Sequence, residues 1–76
     1  MSTQSPMTEA EALQRATHRH YKGGLYCVIG SAKHSETQEP MTVYEHLWPH
    51  APGLWVRPEA MFHGTLIDGR LRFAPV

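Results

Sequence analysis

The sequence predicts an all-β domain, folded as a small, partly open barrel of about five short strands with a short N-terminal helix. Three observations predict this class. Apolar and polar residues alternate in several short runs, as they do in half-buried strands. Glycine and proline separate these runs, which is typical of turns. The chain has 76 residues and so allows one domain, and a barrel hides the edges of so few strands.

The first predicted element is a helix over residues 9–17. Thr8 and Glu11 have the spacing of a capping box, in which each side chain accepts a hydrogen bond from the backbone N–H of the other residue. Leu13 is the only large apolar residue of this segment, so we expect the helix to pack loosely. We expect residues 1–7 to be disordered, as polar chain termini often are. The helix and tail therefore occupy residues 1–17, and the barrel domain occupies residues 18–76.

Three segments alternate clearly enough to be strands. They are LYCVIG at 25–30, MTVYEHLW at 41–48 and GLWVRP at 53–58. Pro58 ends the third strand, because proline has no N–H to donate to a neighbouring strand.

The C-terminal third of the chain predicts a helical turn and a hairpin. The segment PEAMF, residues 58–62, is long enough for one turn of 3-10 helix. In GTLIDGRLRF, residues 64–73, Asp68 and Gly69 lie between two alternating runs, which predicts a two-residue hairpin turn. About five strands with a helical turn before the last hairpin fit an SH3-like barrel.

Several blocks of the sequence resemble a family of short bacterial proteins, domain-of-unknown-function family 1653. The blocks that carry the resemblance lie at residues 20–23, 34–39, 43–44, 55–62 and 72–73. The segment WPHAP, residues 48–52, departs from the glycine-containing turn of that family. The resemblance implies a bacterial protein with an SH3-like barrel. It implies no activity, because the family has no established one.

Composition and charge argue against several classes of function. Seven basic and seven acidic residues give zero net charge, whereas nucleic-acid binders gain most of their affinity by neutralising phosphates. The sequence holds no long apolar run that could span a membrane and no N-terminal secretory signal. Cys27 is the only cysteine, and a single thiol fits a reducing compartment. We therefore expect a soluble, cytoplasmic protein.

The polar run at residues 34–39 is the first candidate binding site. His34, Ser35 and Glu36 are residue types of a hydrolytic triad, but neighbours on one loop seldom converge through space as a triad must. Hydroxyl groups in such a loop can instead hydrogen-bond to nearby backbone and order it. Our hypothesis is that an ordered loop forms one wall of a polar pocket. Its predicted ligand contacts are His34, Ser35, Glu36, Thr37 and Glu39.

Arg57 is the second candidate. It shares a strand face with Trp55, and an arginine beside a large aromatic ring can present a planar fork to a carboxylate or phosphate. The alternative is an ion pair with Glu36 or Glu39 that holds the loop to the barrel. Both interpretations stay open, and they are compatible with each other.

The aromatic residues divide between core and surface. Three are expected in the core: Phe62, Phe73 and Trp55. Three are expected at the surface, where a phenol keeps its hydroxyl in water: Tyr21, Tyr26 and Tyr44. Tyr21, Tyr44 and the neighbouring Lys22 complete the predicted ligand-binding surface.

Six histidines do not amount to a metal site. The sequence holds no Cys-x-x-Cys pair, and no three potential ligands have suitable spacing. Cys27 lies in a predicted strand, where a thiol behaves as a small apolar side chain. We expect no metal and no cofactor.

These observations favour a small binding module over an enzyme. The predicted ligand is a small polar molecule or a peptide, held by the 34–39 loop and Arg57. One alternative is a small hydrolase in which His34 acts with Glu36 or Glu39. Another is a nucleotide or nucleic-acid binding module. A protein partner or a homo-oligomer stays open, and we expect no membrane partner.

Overall fold

The computed structural model describes residues 7–76 as one antiparallel sheet with two short helices. The elements in chain order are α1 (Glu9–Arg15), β1 (His18–His20), β2 (Leu25–Lys33), β3 (Pro40–Trp48), β4 (Gly53–Pro58), α2 (Glu59–Phe62) and β5 (Phe73–Pro75). The five strands lie in the order β4-β3-β2-β1-β5. The predicted all-β class is confirmed. The predicted disordered tail, apart from Met7, lies outside the described residues.

Helix α1 begins with the predicted capping box. The hydroxyl of Thr8 accepts a hydrogen bond from the N–H of Glu11 at 3.2 Å, and the Glu11 carboxylate accepts one from the N–H of Thr8 at 3.0 Å. These hydrogen bonds lower the pKa of the Glu11 carboxyl. The helix ends at Arg15, earlier than predicted, because Ala16 is already extended. No helix within residues 7–76 is long and apolar enough to cross a membrane.

One side of the sheet, which we call the aromatic face, carries a cluster of buried rings. Tyr44 of β3, Phe62 of α2 and Phe73 of β5 form its centre, with Tyr26 and Val28 of β2 packed against them. Phe62 and Phe73 stack with their ring centroids 4.1 Å apart and their planes 6° from parallel. Helix α2 therefore closes this face by inserting Phe62 between elements that are distant in sequence.

The opposite side of the sheet, which we call the helix face, packs against α1. Ala12 is the buried residue of the helix and contacts Leu25 and Leu47. An ion pair between Arg15 and Glu45, at 2.8 Å, joins the end of the helix to β3. The helix face therefore carries a second, smaller hydrophobic core.

The sheet does not close into the predicted SH3-like barrel. Among the described strands, β4 and β5 are the two edges, because β4 pairs with β3 alone and β5 with β1 alone. Over residues 7–76, no strand pairing joins these two edges. The physical reason is that α1 and α2 each cover part of one face, so the sheet buries its apolar side chains without curling.

The predicted strands differ in how well they are reproduced. The segments at 25–30, 41–48 and 53–58 all lie in strands, and β2 runs on to Lys33. Strand β1 was missed, because three residues are too few for an alternating pattern to show. The predicted 3-10 turn is one turn of α-helix, in which the N–H of His63 donates to the carbonyl of Glu59.

The hairpin predicted over residues 64–73 forms a turn, but its two arms do not form the predicted strands. Only one isolated bridge, between Thr65 and Leu71, joins its two arms. The turn itself forms one residue earlier than predicted, since the N–H of Gly69 donates to the carbonyl of Leu66 at 2.9 Å. The arms do not become strands because their side chains have little core beneath them; that of Leu71 is 42 % exposed.

The aromatic residues also depart from prediction at two positions. Phe62 and Phe73 are buried, as predicted. Trp55 is not in the core but 59 % exposed, because it lies on the edge strand β4, beyond the stacked rings. Tyr44 is not at the surface but only 6 % exposed, because it lies on the interior strand β3 beneath α2.

Replacing Gly64 by alanine is expected to lower the free energy of unfolding by about 1–3 kcal/mol. A Cβ at this position would lie 2.9 Å from the carbonyl oxygen of Ala60, so the turn after α2 would have to shift. Gly30→Ala is the matched control, because a Cβ there meets nothing within 4 Å. Urea denaturation measures both. Equal midpoints for the two variants would contradict the close approach at Gly64.

Candidate functional site

A pocket of about 240 Å³ opens on the aromatic face. We call it the Arg57 pocket. It is lined by Tyr26, Tyr44, His46, His50, Trp55 and Arg57.

Strand pairing brings these side chains together. His46 of β3 lies opposite Tyr26 of β2, and Tyr44 lies opposite Trp55 of β4. Because alternate residues of a strand point to the same face, Arg57 lies on the same side as Trp55. The turn between β3 and β4, which contains the cis Trp48–Pro49 peptide bond, supplies the remaining lining residue.

The walls of the pocket are aromatic. The rings of Tyr26 and His46 stack, with centroids 4.7 Å apart and planes at 27°. Tyr26 also meets Tyr44 edge to face at 5.5 Å, and His50 lies 5.2 Å from His46. Planar walls of this kind provide contact area for a flat ligand group at little cost in side-chain entropy.

Arg57 is the charged group of the pocket, and it is half-buried. Its guanidinium carbon lies 5.5 Å from the centroid of the Phe73 ring, an arrangement for a cation–π contact. Within residues 7–76 it has no carboxylate within 4 Å and no side-chain hydrogen bond; the ion pairs join other arginines to acids. The alternative in which Arg57 pairs with Glu36 or Glu39 is therefore wrong.

Two further polar groups of the pocket, His46 Nδ1 and the Tyr44 hydroxyl, have no hydrogen-bond partner within residues 7–76. The other ring nitrogen of His46, Nε2, lies 3.0 Å from the carbonyl of Trp48 and must donate to it, so neutral His46 keeps Nδ1 as an acceptor. Neither this Nδ1 nor the Tyr44 hydroxyl bonds to any described residue. Yet no buried side-chain polar atom of that part of the chain lacks a partner. Both atoms are therefore reached by solvent.

The 34–39 loop is held by its own hydrogen bonds. Nδ1 of His34 accepts from the N–H groups of Glu36 and Thr37, at 3.1 and 3.3 Å. The Thr37 hydroxyl accepts from the N–H of Glu39 at 3.2 Å, and the His34 N–H donates to the Glu39 carbonyl at 2.9 Å. Gln38 turns the chain with a φ of 62°. This pattern agrees with the loop-ordering interpretation of His34 and Thr37.

The same loop does not border the Arg57 pocket. Of the five loop residues predicted to contact a ligand, none is among the pocket's lining residues. Glu39 instead lines a separate cavity beside α2, together with Glu59 and His63. Ser35 and Glu36 are exposed. The predicted site therefore divides, with the loop at one end of the sheet and Arg57 with Tyr44 elsewhere.

Tyr21 and Lys22 lie in the turn between β1 and β2. The Lys22 ammonium is 5.8 Å from the centre of the Tyr21 ring. Tyr21 lines a third cavity, of about 410 Å³, together with Arg19 and Leu71. Both residues thus belong to the β1 side of the sheet rather than to the Arg57 pocket itself.

Four lining residues were not predicted as ligand contacts: Tyr26, His46, His50 and Trp55. The sequence does place Tyr44 and His46 on one strand face, and Tyr26 on one face of its own strand. What the sequence lacks is the register that sets these faces side by side. Trp55 was missed because a large aromatic residue is assigned to the core by default.

A family model described as protein of unknown function (DUF1653) matches residues 16–75 of the chain. The chain belongs to the DUF1653 family. The match covers all five strands and α2, so the Arg57 pocket lies wholly within the DUF1653 domain. No curated protein and no solved structure matches the chain.

Potential metal ligands and the single thiol of this DUF1653 domain lie apart from one another. Over residues 7–76, no group of three or more histidine, cysteine, aspartate or glutamate side chains is placed to hold a metal ion. Cys27 is half-buried, and it packs against the small core on the helix face.

Stability is expected to fall as the pH is lowered from 7 to 5. Burial lowers the pKa of His18, His20 and His46 below 6.5. In the unfolded chain these histidines have a pKa near 6.5, so the unfolded chain binds more protons than the folded chain as the pH falls below that value. The contribution of these histidines to the free energy of unfolding is therefore complete above this pH and is lost as the pH falls through their folded pKa values. Urea midpoints measured across this range test the effect.

The test variant is His46→Gln. Burial is the main cause that lowers the pKa of His46, so this variant is expected to flatten the pH dependence. A midpoint that is unchanged between pH 7 and pH 5 in the wild type would contradict the effect of burial on these histidines.

Proposed function

We propose that this domain is a binding module whose Arg57 pocket takes a small anionic ligand through a carboxylate or phosphate group. The observation that carries the proposal is the state of Arg57. It is half-buried beside an aromatic pocket and has no carboxylate partner within residues 7–76.

A charge taken partly out of water costs free energy unless it is paired. An anionic ligand would supply the missing partner, and the planar guanidinium can bind a carboxylate or phosphate with two parallel hydrogen bonds. The Tyr44 hydroxyl adds a donor, and Nδ1 of His46 adds an acceptor. Together these groups would orient one small polar ligand over the aromatic walls.

The size of the pocket favours a small molecule over a peptide. Its volume of about 240 Å³ is slightly below the range of roughly 300–1,000 Å³ that is usual for small-molecule sites. The hydrolase alternative has less support. His34 uses Nδ1 to accept two backbone N–H groups, and its ring has no hydrogen bond to the Glu36 or Glu39 carboxylate within the described chain.

The test is a calorimetric titration with phosphate, acetate and citrate, with glycerol as the neutral control. We expect saturable binding of the anions alone, competition among them, and weaker binding as chloride is raised. Arg57→Lys keeps the charge but removes the planar fork, so its affinity should lie between those of wild type and Arg57→Ala. Equal responses to glycerol and to the anions would refute the proposal.

A further inference from the structure

Most of the basic side chains that lack acidic partners within residues 7–76 lie near one residue, His20. Of the seven basic residues in the chain, Arg15, Arg19 and Arg70 form ion pairs. Burial lowers the pKa of His20, and the charges of three of the other four basic residues lower it further: Arg57, Arg72 and Lys22. The zero net charge of the chain therefore conceals a local excess of positive charge.

Ring and cation contacts place this cluster beside the Arg57 pocket. Arg57 lines the pocket and also lies over Phe73, whose ring centroid is 4.8 Å from that of His20. The Lys22 ammonium lies 5.8 Å from the centroid of the Tyr21 ring, which is itself 4.5 Å from that of His20. The backbone of Arg72 lies beside Tyr21, because its carbonyl accepts from the Tyr21 N–H at 2.9 Å. The cationic region thus begins at Arg57 and extends toward β1.

Over residues 7–76, four side-chain carboxylates lack an ion-pair partner. One of them, Glu11, caps helix α1 through Thr8, and the other three lie away from His20. Glu36 and Glu39 lie in the loop between β2 and β3, and Glu59 begins α2. Glu39 and Glu59 line the same cavity, away from the Arg57 pocket. An anion that approaches His20 would therefore meet no carboxylate of this group at the pocket wall.

At its other side the pocket has an exposed aromatic residue. Trp55 is two residues before Arg57 on β4 and is largely exposed. Residues i and i+2 of a strand, here Trp55 and Arg57, are about 6.8 Å apart. The sugar of a nucleotide can bridge this spacing between a base at the first residue and a phosphate at the second. Exposed aromatic rings on a sheet are effective stacking partners for nucleobases.

Resting on the proposed function, we infer that the ligand class of this site is a nucleoside phosphate. Its base would stack at Trp55 and the Tyr26–His46 pair, and its first phosphate would bind the Arg57 guanidinium. A second phosphate would extend toward Lys22 and Arg72. The pocket volume of about 240 Å³ accommodates the ring, and the phosphates lie at its rim.

The test is calorimetric titration at constant ionic strength with ADP, AMP, adenosine and inorganic pyrophosphate. We expect ADP to bind at least tenfold more tightly than adenosine or pyrophosphate. Trp55→Ala should weaken ADP and AMP binding and leave pyrophosphate binding unchanged. Arg72→Gln should weaken ADP binding more than AMP binding, whereas the control Lys33→Gln, a cation outside the cluster, should change neither.

Each other outcome overturns the inference in a distinct way. If phosphate or citrate binds through Arg57 but ADP binds no better than pyrophosphate, the nucleoside class is wrong and the proposed function stands. If no anion binds, both are wrong. If a short single-stranded oligonucleotide displaces ADP and binds far more tightly than ADP does, the site binds nucleic acid and the assignment to a mononucleotide is wrong.

Discussion

Phe62→Ala is expected to lower the free energy of unfolding by about 3–5 kcal/mol, the range for removing a buried aromatic ring. Phe62 is fully buried, stacks on Phe73 at 4.1 Å and meets Tyr44 at 5.1 Å. At about 0.05–0.15 kcal/mol per residue, a chain of 76 residues has only roughly 4–11 kcal/mol in total. The variant should therefore be largely unfolded or close to it at 37 °C.

Urea denaturation followed by circular dichroism measures this loss, with two companion variants. Phe62→Leu keeps most of the side-chain volume and should cost less than about 1.5 kcal/mol. Its unfolding can therefore be measured even if Phe62→Ala does not fold. Met61→Ala changes the neighbouring exposed residue of α2 and should stay within about 0.5 kcal/mol of wild type. A Phe62→Ala midpoint close to that of Met61→Ala would show that α2 does not close the aromatic face.

Arg57→Ala is expected to weaken anion binding by about 1.5–3 kcal/mol, the range for a hydrogen bond to a charged group, or roughly 10- to 150-fold in Kd. The same change should alter the free energy of unfolding by no more than about 1 kcal/mol. The small stability effect follows because Arg57 loses only its contact with the Phe73 ring. Within residues 7–76 it has no ion pair to lose.

Arg15→Ala is the matched control. Arg15 is exposed and pairs with Glu45 at 2.8 Å on the helix face, so its removal deletes one arginine of equal charge on the side of the sheet opposite the Arg57 pocket. Its effect on Kd should be less than about twofold at moderate ionic strength, where exposed charges are screened. If Arg57→Ala and Arg15→Ala weakened binding equally, the effect would come from net charge and not from the pocket.

Local signals in the sequence were sufficient for several elements. The Thr8 and Glu11 spacing is a contact within one helical turn, so the capping box could be recognised without any tertiary information. Strands β2, β3 and β4 alternate over enough residues to show their period. Pro58 marked the end of β4 because its missing N–H has a local consequence.

The predictions of a closed barrel and of the hairpin strands were wrong because both depend on tertiary packing. Alternation shows that a strand has two different faces, but it does not show what covers each face. Here α1 and α2 cover opposite faces, so the sheet stays open. The segment that contains Leu71 alternates like a strand, yet the Leu71 side chain stays exposed.

Of the six residues that line the Arg57 pocket, only two were predicted as ligand contacts, for the same tertiary reason. Arg57 and Tyr44 were identified because their residue types suit recognition wherever they lie. Tyr26 and His46 joined them only through strand register, which alternation alone does not determine. The loop around His34 stays a predicted contact region. Its polar side chains also satisfy its own backbone, a role that composition does not distinguish from ligand binding.

The most direct test of the account is a ¹⁵N-HSQC titration of the labelled protein with phosphate, because it locates binding residue by residue. The account predicts shifts that saturate together at Tyr26, Tyr44, His46 and Arg57, with the 34–39 amides unchanged. Shifts centred on residues 34–39, with those four amides unchanged, would contradict the account and return the binding site to the loop.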